Sequence, residues 1–260
     1  MQVAVTVDLD GEALWLNRDP ENARLPVVMS QGAYGPRTGL PRLLSLFESH
    51  QIRATFFVPG WIAERYPTAV ESIMAGHHEV AHHGYRHEWV TNLTADEEEQ
   101  ILRKGIDALV AATGKRPLGY RAPGWEVSER TLSLLTRYEF LYSSNFMDAD
   151  DPYQHPNGLV ELPVDWSLAD TSYFLYSLRL PGTKLMGNDQ ALSTWFDAFS
   201  VLHGERRPLF LLTLHPEISG RPARVRVVQR LFDYIASHNA VEFATCADIV
   251  RGTAVSATSA

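Results

Sequence analysis

Short apolar or β-branched runs alternate with amphipathic helical stripes along this chain, and that alternation most constrains its fold. Residues 3–8 are valine-rich and stop at Asp-Gly, the pattern of a buried strand. Residues 39–50 follow as a helix with Leu40, Leu43, Leu44 and Phe47 on one stripe. A strand at 54–58, a helix at 62–75 and a strand at 79–82 come next. Thr94 with Glu97 three residues on is a capping box, which predicts a helix over 95–113. Further strands are predicted at 119–122, 140–143, 160–164, 209–214 and 241–243, with helices at 128–137, 189–202 and 221–237 and a last short helix. No internal repeat or low-complexity linker interrupts this order. It calls for a parallel sheet covered by helices, within a single domain over 1–260.

An incomplete or distorted (β/α) barrel and an open doubly wound sheet both satisfy the α/β alternation. The polar residues favour the barrel. Asp8/Asp10, His83/His87, Arg121, Asp165 and His215 each fall at or just beyond the C-terminal end of a predicted strand. In barrels that face carries the active site. Two segments break the short-connection rule, 12–38 and 144–158. The first holds several Pro and Gly residues with Trp15 and Tyr34, and leaves directly from the acidic pair. It reads as a long active-site loop forming a lid or wall, or else as a loop used only for oligomer contacts.

Composition narrows the partners. Hydrophobic residues are 45% and charged residues 21%, which suits a folded chain. A net charge of -8 without a basic block disfavours nucleic acid. Cys246 is the only cysteine, so an internal disulfide is excluded. No stretch approaches the roughly 20 apolar residues of a membrane helix. The first strand begins almost at once, without a basic leader or cleavage segment, so a cytoplasmic location is expected. A Gly-x-Ser-x-Gly elbow is absent, which argues against a serine esterase, and no strong phosphate cradle is visible.

The chemistry gathers around residues 78–87, which hold four of the ten histidines, with His77 just before them. Both His78/His82 and His83/His87 have a spacing that can bring two imidazoles to one metal if the backbone coils through a turn. A crowded or surface histidine cluster is the alternative. Asp8 and Asp10 are two apart and share one face of an extended strand. Asp10, His83 and His87 would complete a three-ligand set with an open position, leaving Asp8 as a base toward the attacking water. Arg121 could offset the repulsion between the two carboxylates. His215 could protonate a departing nitrogen. Such an assembly suits hydrolysis of an amide C–N bond, and its donor set admits zinc, cobalt, manganese or nickel.

With these residues in view, the chain resembles the polysaccharide deacetylase (NodB-homology, carbohydrate esterase family 4) superfamily over nearly its whole length. The carriers are Thr6-Val7-Asp8-Leu9-Asp10-Gly11, His83-Gly84-Tyr85-Arg86-His87, Arg121-Ala122-Pro123 and His215. The resemblance selects the second histidine pair. It implies a distorted (β/α)7-type barrel and a divalent metal, usually zinc, on Asp10, His83 and His87. It further implies Asp8 as base, His215 as acid, Arg121 tuning Asp8, and the Gly124 N–H at the oxyanion. Asp165-Trp166 resembles a motif whose acid holds the arginine and whose tryptophan lines the pocket. Three departures stand out: Leu9 separates the aspartates, Thr213 occupies an acetyl-pocket leucine position, and the 12–38 segment is long. These features resemble the branch with metal-independent allantoinases, cyclic-imide hydrolases and some peptidoglycan-deacetylase-like proteins, whose members are often homotetramers. Trp15, Trp61, Trp89, Trp125 and Trp166 would wall a compact pocket. The expected substrate is therefore a small amide, cyclic imide or N-acetyl compound. An N-acetyl-sugar or peptidoglycan deacetylase is the second expectation, and a ligand-binding barrel without turnover is the third.

Overall fold

Alternation in the first strand sets the two faces of the sheet. Val3, Val5 and Val7 of β1 (Gln2–Asp8) pack outward in the helix-facing core, while Ala4 packs in the interior cluster. Thr6 and Asp8 therefore also face inward, two residues apart on the Ala4 side. The computed structural model describes residues 1–252. Eight further strands follow: β2 (Thr55–Val58), β3 (Glu79–His82), β4 (Gly119–Tyr120), β5 (Tyr142–Ser143), β6 (Tyr153–Gln154), β7 (Val160–Glu161), β8 (Leu209–Leu214) and β9 (Glu242–Phe243). Their order is β6-β7-β5-β4-β3-β2-β1-β8, with β9 also on β1. Every pairing is parallel except β6 with β7. The segment after β7 reaches β8 through the parallel bridge Ala169–Thr213, so the curled sheet meets itself there. This is the distorted (β/α) barrel that the strand-end chemistry favoured.

Several elements form as their local chemistry dictates. Helix Ala95–Thr113 opens on the Thr94–Glu97 capping box and stops at Gly114, whose φ of 69° is left-handed. The expected helix over 62–75 is two, Gly60–Arg65 and Pro67–Ala75, because Pro67 bars Tyr66 from helical geometry.

The expected loop over 12–38 is a correction. It is helical, as Ala13–Arg18, a 3-10 turn at Pro20–Arg24, Pro26–Tyr34 and a π turn at Gly35–Gly39. Pro20, Pro26 and Pro36 sit in the first positions of three of these elements, where a missing N–H costs nothing. They start turns here and do not break them. Glycine allows the close packing that follows: a side chain at Gly32 would strike the Gly11 carbonyl, and one at Gly39 the Pro216 carbonyl. The segment thereby lies against the loops that follow β1 and β8, at the C-terminal rim of the barrel.

Candidate functional site

β3 separates the histidines by face. His82 points outward, where Nε2 lies 3.1 Å from the Leu102 carbonyl and Nδ1 accepts the Gly84 N–H at 3.1 Å. His78 precedes the strand, and its Nδ1 accepts the Ala54 N–H at 3.0 Å. Extended backbone carries this pair apart, so His78/His82 cannot chelate. Burial pushes the His78 imidazole down to about 4 and that of His82 to about 3, so both stay neutral. Beyond the strand the chain coils: Gly84 and His87 both have positive φ, 73° and 63°. That turn brings the His83 and His87 rings to a centroid separation of 5.2 Å.

Asp10, just past β1, meets both. Its Oδ1 is 3.3 Å from His83 Nε2 and its Oδ2 is 3.2 Å from His87 Nε2. All three residues are buried, and their potential ligand atoms lie within 4.8 Å of one another. The approach is close but not aligned for bonding: Asp10 Oδ1 and His87 Nδ1 have no hydrogen-bond partner. His83 Nδ1 donates to the Arg121 carbonyl at 2.8 Å. In the neutral ring, Nε2 then presents a lone pair to a carboxylate, which is repulsive unless a cation or proton lies between them. Burial pushes the Asp10 carboxyl up, but the facing imidazoles, His87 first, outweigh it and hold it well below the carboxylate range. Burial likewise opposes charge on His83, yet Asp8 and Asp10 raise its pKa. These donors fit a divalent ion.

Asp8 sits beside this trio without joining it. Its Oδ1 accepts from Arg121 Nη1 at 2.8 Å, and its Oδ2 is 4.0 Å from His83 Nε2. Arg121 is fully buried and held on all sides, by Thr6 Oγ1 at 2.9 Å, Ser144 Oγ at 2.9 Å, the Ser144 carbonyl at 3.2 Å and Thr213 Oγ1 at 3.3 Å. Its guanidinium also lies 4.1 Å from the Phe57 ring centroid. Opposite stands His215, immediately after β8, with Nε2 3.9 Å from Asp8 Oδ2 and 3.8 Å from Asp10 Oδ2. Its Nδ1 is 2.7 Å from Asp170 Oδ1. Burial works against its charge, but Asp170, then Asp10 and Asp8, push it up to about 10.

These groups floor a cavity of about 260 Å³ lined by Asp8, Asp10, His83, His87 and His215, with Trp89, Gly124, Trp125 and Trp166 among its walls. The Trp125 and Trp166 rings stack at 4.2 Å. Gly124 has a φ of 69°, turning the chain at the rim.

Four expected site residues lie elsewhere. Asp165 does not hold Arg121; it is exposed and accepts the Ser167 N–H at 2.6 Å, capping the turn Trp166–Leu168. The acid that matters in this segment is Asp170, which also accepts the His215 N–H at 2.8 Å and Ser219 Oγ at 2.5 Å. Thr213 is not in the pocket. It points inward one layer below His215 and bonds Thr6 Oγ1 at 3.0 Å. Trp15 is buried with Leu14 and Val28 outside the cavity, and Trp61 is likewise not a wall. Leu14 and Arg18, one turn apart on the same helix, line it instead. Sequence reasoning passed over Asp170, although it lies, like Asp165, in the stretch just after a predicted strand.

The polysaccharide deacetylase family profile matches residues 30–143. A peptidoglycan deacetylase of Helicobacter pylori is 31% identical over 277 aligned positions, which span 95% of this chain and 94% of that protein. A Mycobacterium smegmatis crystal structure, provisionally assigned as a polysaccharide deacetylase, is 36% identical with a TM-score of 0.94, covering 100% of this chain and 93% of its own. An allantoinase crystal structure is 25% identical with a TM-score of 0.83, covering 96% of this chain and 89% of its own.

Proposed function

The chain belongs to the polysaccharide deacetylase family, whose members are hydrolases of C–N bonds other than peptide bonds, and from that premise we propose a metal-dependent hydrolase of a small amide, cyclic imide or N-acetyl substrate. The described residues, 1–252, would form one catalytic domain, and the last eight positions of the expected domain lie outside the described residues. The observation that carries this reading is the pairing of Asp8 and His215 across one cavity floor, each held by its own buried counter-ion, Arg121 and Asp170.

Asp10, His83 and His87 would hold the divalent ion, zinc first among the candidates. When bound, such an ion polarises a substrate carbonyl and makes water more acidic. Asp8, held in place by Arg121, takes the proton of the attacking water as its oxygen joins the carbonyl carbon. His215 gives its Nε2 proton to the nitrogen as the C–N bond breaks, leaving a carboxylic acid and an amine. Asp170 keeps Nδ1 engaged, so that Nε2 is the atom facing the substrate. The Gly124 N–H would receive the developing oxyanion, and Trp125 and Trp166 would exclude water from above.

A cavity of about 260 Å³ suits a compact ligand better than a polymer. Deacetylation of an N-acetyl sugar is the second reading, favoured by the likeness to the Helicobacter pylori peptidoglycan deacetylase. A cytoplasmic homo-oligomer, a tetramer by analogy with this branch, completes the proposal. Turnover across N-acetylglucosamine oligomers, muropeptides, hydantoins, cyclic imides and allantoin tests it, with metal-loaded and chelated protein side by side. Metal-dependent ring opening or amide cleavage is expected. Acetate release from the sugars alone would favour the second reading. Turnover indifferent to chelation would remove the metal, and silence throughout would leave a binding protein.

A further inference from the structure

The deeper cation of the site is fully engaged, whereas the one at its rim is not. Arg18 ends the helix Ala13–Arg18 and lines the cavity beside Trp89, with Cζ 5.6 Å from that ring's centroid. Among the described residues its guanidinium has no ion pair and no hydrogen bond. Arg18 is exposed at the rim, where partial desolvation lowers its pKa and the field of Asp10 opposes that. Asp10, however, is already committed to His83 and His87. Asp19, the next residue along, pairs instead with Arg179 at 3.1 Å.

A guanidinium over an indole face still presents its planar fork of N–H donors. That fork matches a carboxylate, through two parallel charge-assisted hydrogen bonds. The rest of the wall is mostly apolar, with Leu14, Leu175, Trp125 and Trp166, and its two hydroxyl residues are Thr171 and Ser172, the latter bonded to the Trp166 carbonyl at 2.6 Å. One cavity of about 260 Å³ thus holds both the proposed hydrolytic floor and an anion-matching group at its rim.

We propose that Arg18 is a specificity-determining residue, selecting compact N-acyl compounds that carry a carboxylate near the scissile amide. This inference rests on the hydrolase reading above for the word scissile, but its binding claim can be tested separately. N-acetylglycine and N-acetylglycinamide differ only in the carboxylate. Their affinities are to be measured by calorimetry on metal-loaded Asp8→Asn protein, which prevents turnover, and on the same protein with Arg18→Gln, Arg18→Lys or Arg18→Glu added. Any carboxylate contact at the floor is common to all four proteins, so the change in the acid-to-amide ratio isolates Arg18.

With Arg18 present, the acid binds about 10-fold more tightly than the amide. Arg18→Gln brings the ratio near one, Arg18→Lys keeps part of it, and Arg18→Glu inverts it. A wall residue acting through shape alone would not produce that inversion. A ratio unmoved by Arg18→Gln, a wild-type preference for the amide, or no binding of either compound overturns the proposal. Arg18-dependent binding with no turnover of any substrate by the Asp8-intact enzyme would instead overturn the hydrolase reading and leave the anion site standing. Turnover with carboxylate-blind binding would do the reverse.

Discussion

Two buried carboxylate–histidine clusters share this barrel and differ in how completely they are bonded. At the end of β7, Glu161 Oε1 accepts the Asn145 and Phe146 N–H groups at 2.6 and 3.1 Å, and Oε2 lies 3.0 Å from His155 Nε2. Past the end of β1, Asp10 meets two imidazoles, yet its Oδ1 and His87 Nδ1 remain without hydrogen bonds. Burial does not distinguish them, since Glu161 is 0% exposed and Asp10 3%. The difference is in the donors. The irregular chain after β5 turns its backbone amides onto Glu161, while Asp10 faces side chains that converge on a point between them. Native interiors rarely leave polar atoms unbonded, and here the unbonded atoms sit where three potential ligand atoms lie within 4.8 Å of one another, an arrangement that fits a cation. The Glu161 cluster fastens the 144–158 segment, and the Asp10 cluster is the candidate metal site.

Four measurements would break or sharpen that contrast. The largest effect belongs to Asp8→Asn, which should lower kcat/KM by about 10³-fold through loss of the base. Metal content, followed by elemental analysis, should not change, because Asp8 stands outside the proposed ligand set of Asp10, His83 and His87. Near-normal activity would remove Asp8 from the mechanism.

Removal of the metal comes next. Chelation should abolish most turnover and lower the melting temperature. An ion present at about 100 times its Kd adds about 2.7 kcal/mol to stability. Asp10→Ala should lose the bound ion, whereas Glu161→Gln should keep it. Equal metal loss from both would erase the distinction between the clusters.

Asp170→Asn should cost about 10- to 100-fold in kcat/KM and reshape the pH profile. His215 must be protonated to act, so activity is lost as pH rises through its pKa. Burial opposes that charge, while Asp170 and the site aspartates hold the pKa up at about 10. Without the Asp170 charge the alkaline limb should move to lower pH. A stationary limb would mean that His215 is not the acid.

The smallest effect on activity belongs to Glu161→Gln. Loss of the His155 pairing and a disturbed set of amide bonds should reduce unfolding free energy by about 1–3 kcal/mol, read from denaturant melts, with little change in kcat/KM. Loss of activity without loss of stability would make this cluster functional after all.

Local signals in the sequence located the elements well where they were long or strongly marked. The capping box placed helix Ala95–Thr113, and apolar runs placed Glu79–His82 and Leu209–Leu214 with their observed bounds. The shorter strands at 119–122 and 160–164 contract to two residues each, because pairing with neighbours decides where a ladder ends. Prolines misled over 12–38: as helix starters and helix breakers they look alike until the chain around them is folded. Asp8, Asp10, His83, His87, Arg121 and His215 were legible because strands of a parallel barrel deliver their C-terminal ends to one face.

What the sequence determined by itself is thus the alternating order of elements and the rim to which each reactive side chain is delivered, both properties of the chain read along its length. Tertiary structure alone decided the partners. Asp170, not Asp165, reaches His215 across 45 positions, because the turn Trp166–Leu168 intervenes and the chain then bridges to Thr213. Arg18 and Leu14, not Trp15, reach the cavity, because one residue along a helix rotates a side chain by about 100°. Thr213 bonds Thr6 beneath the floor, because register with β1 fixes its layer. Such phases are set by contacts between distant segments, which is why no local pattern in the sequence contains them.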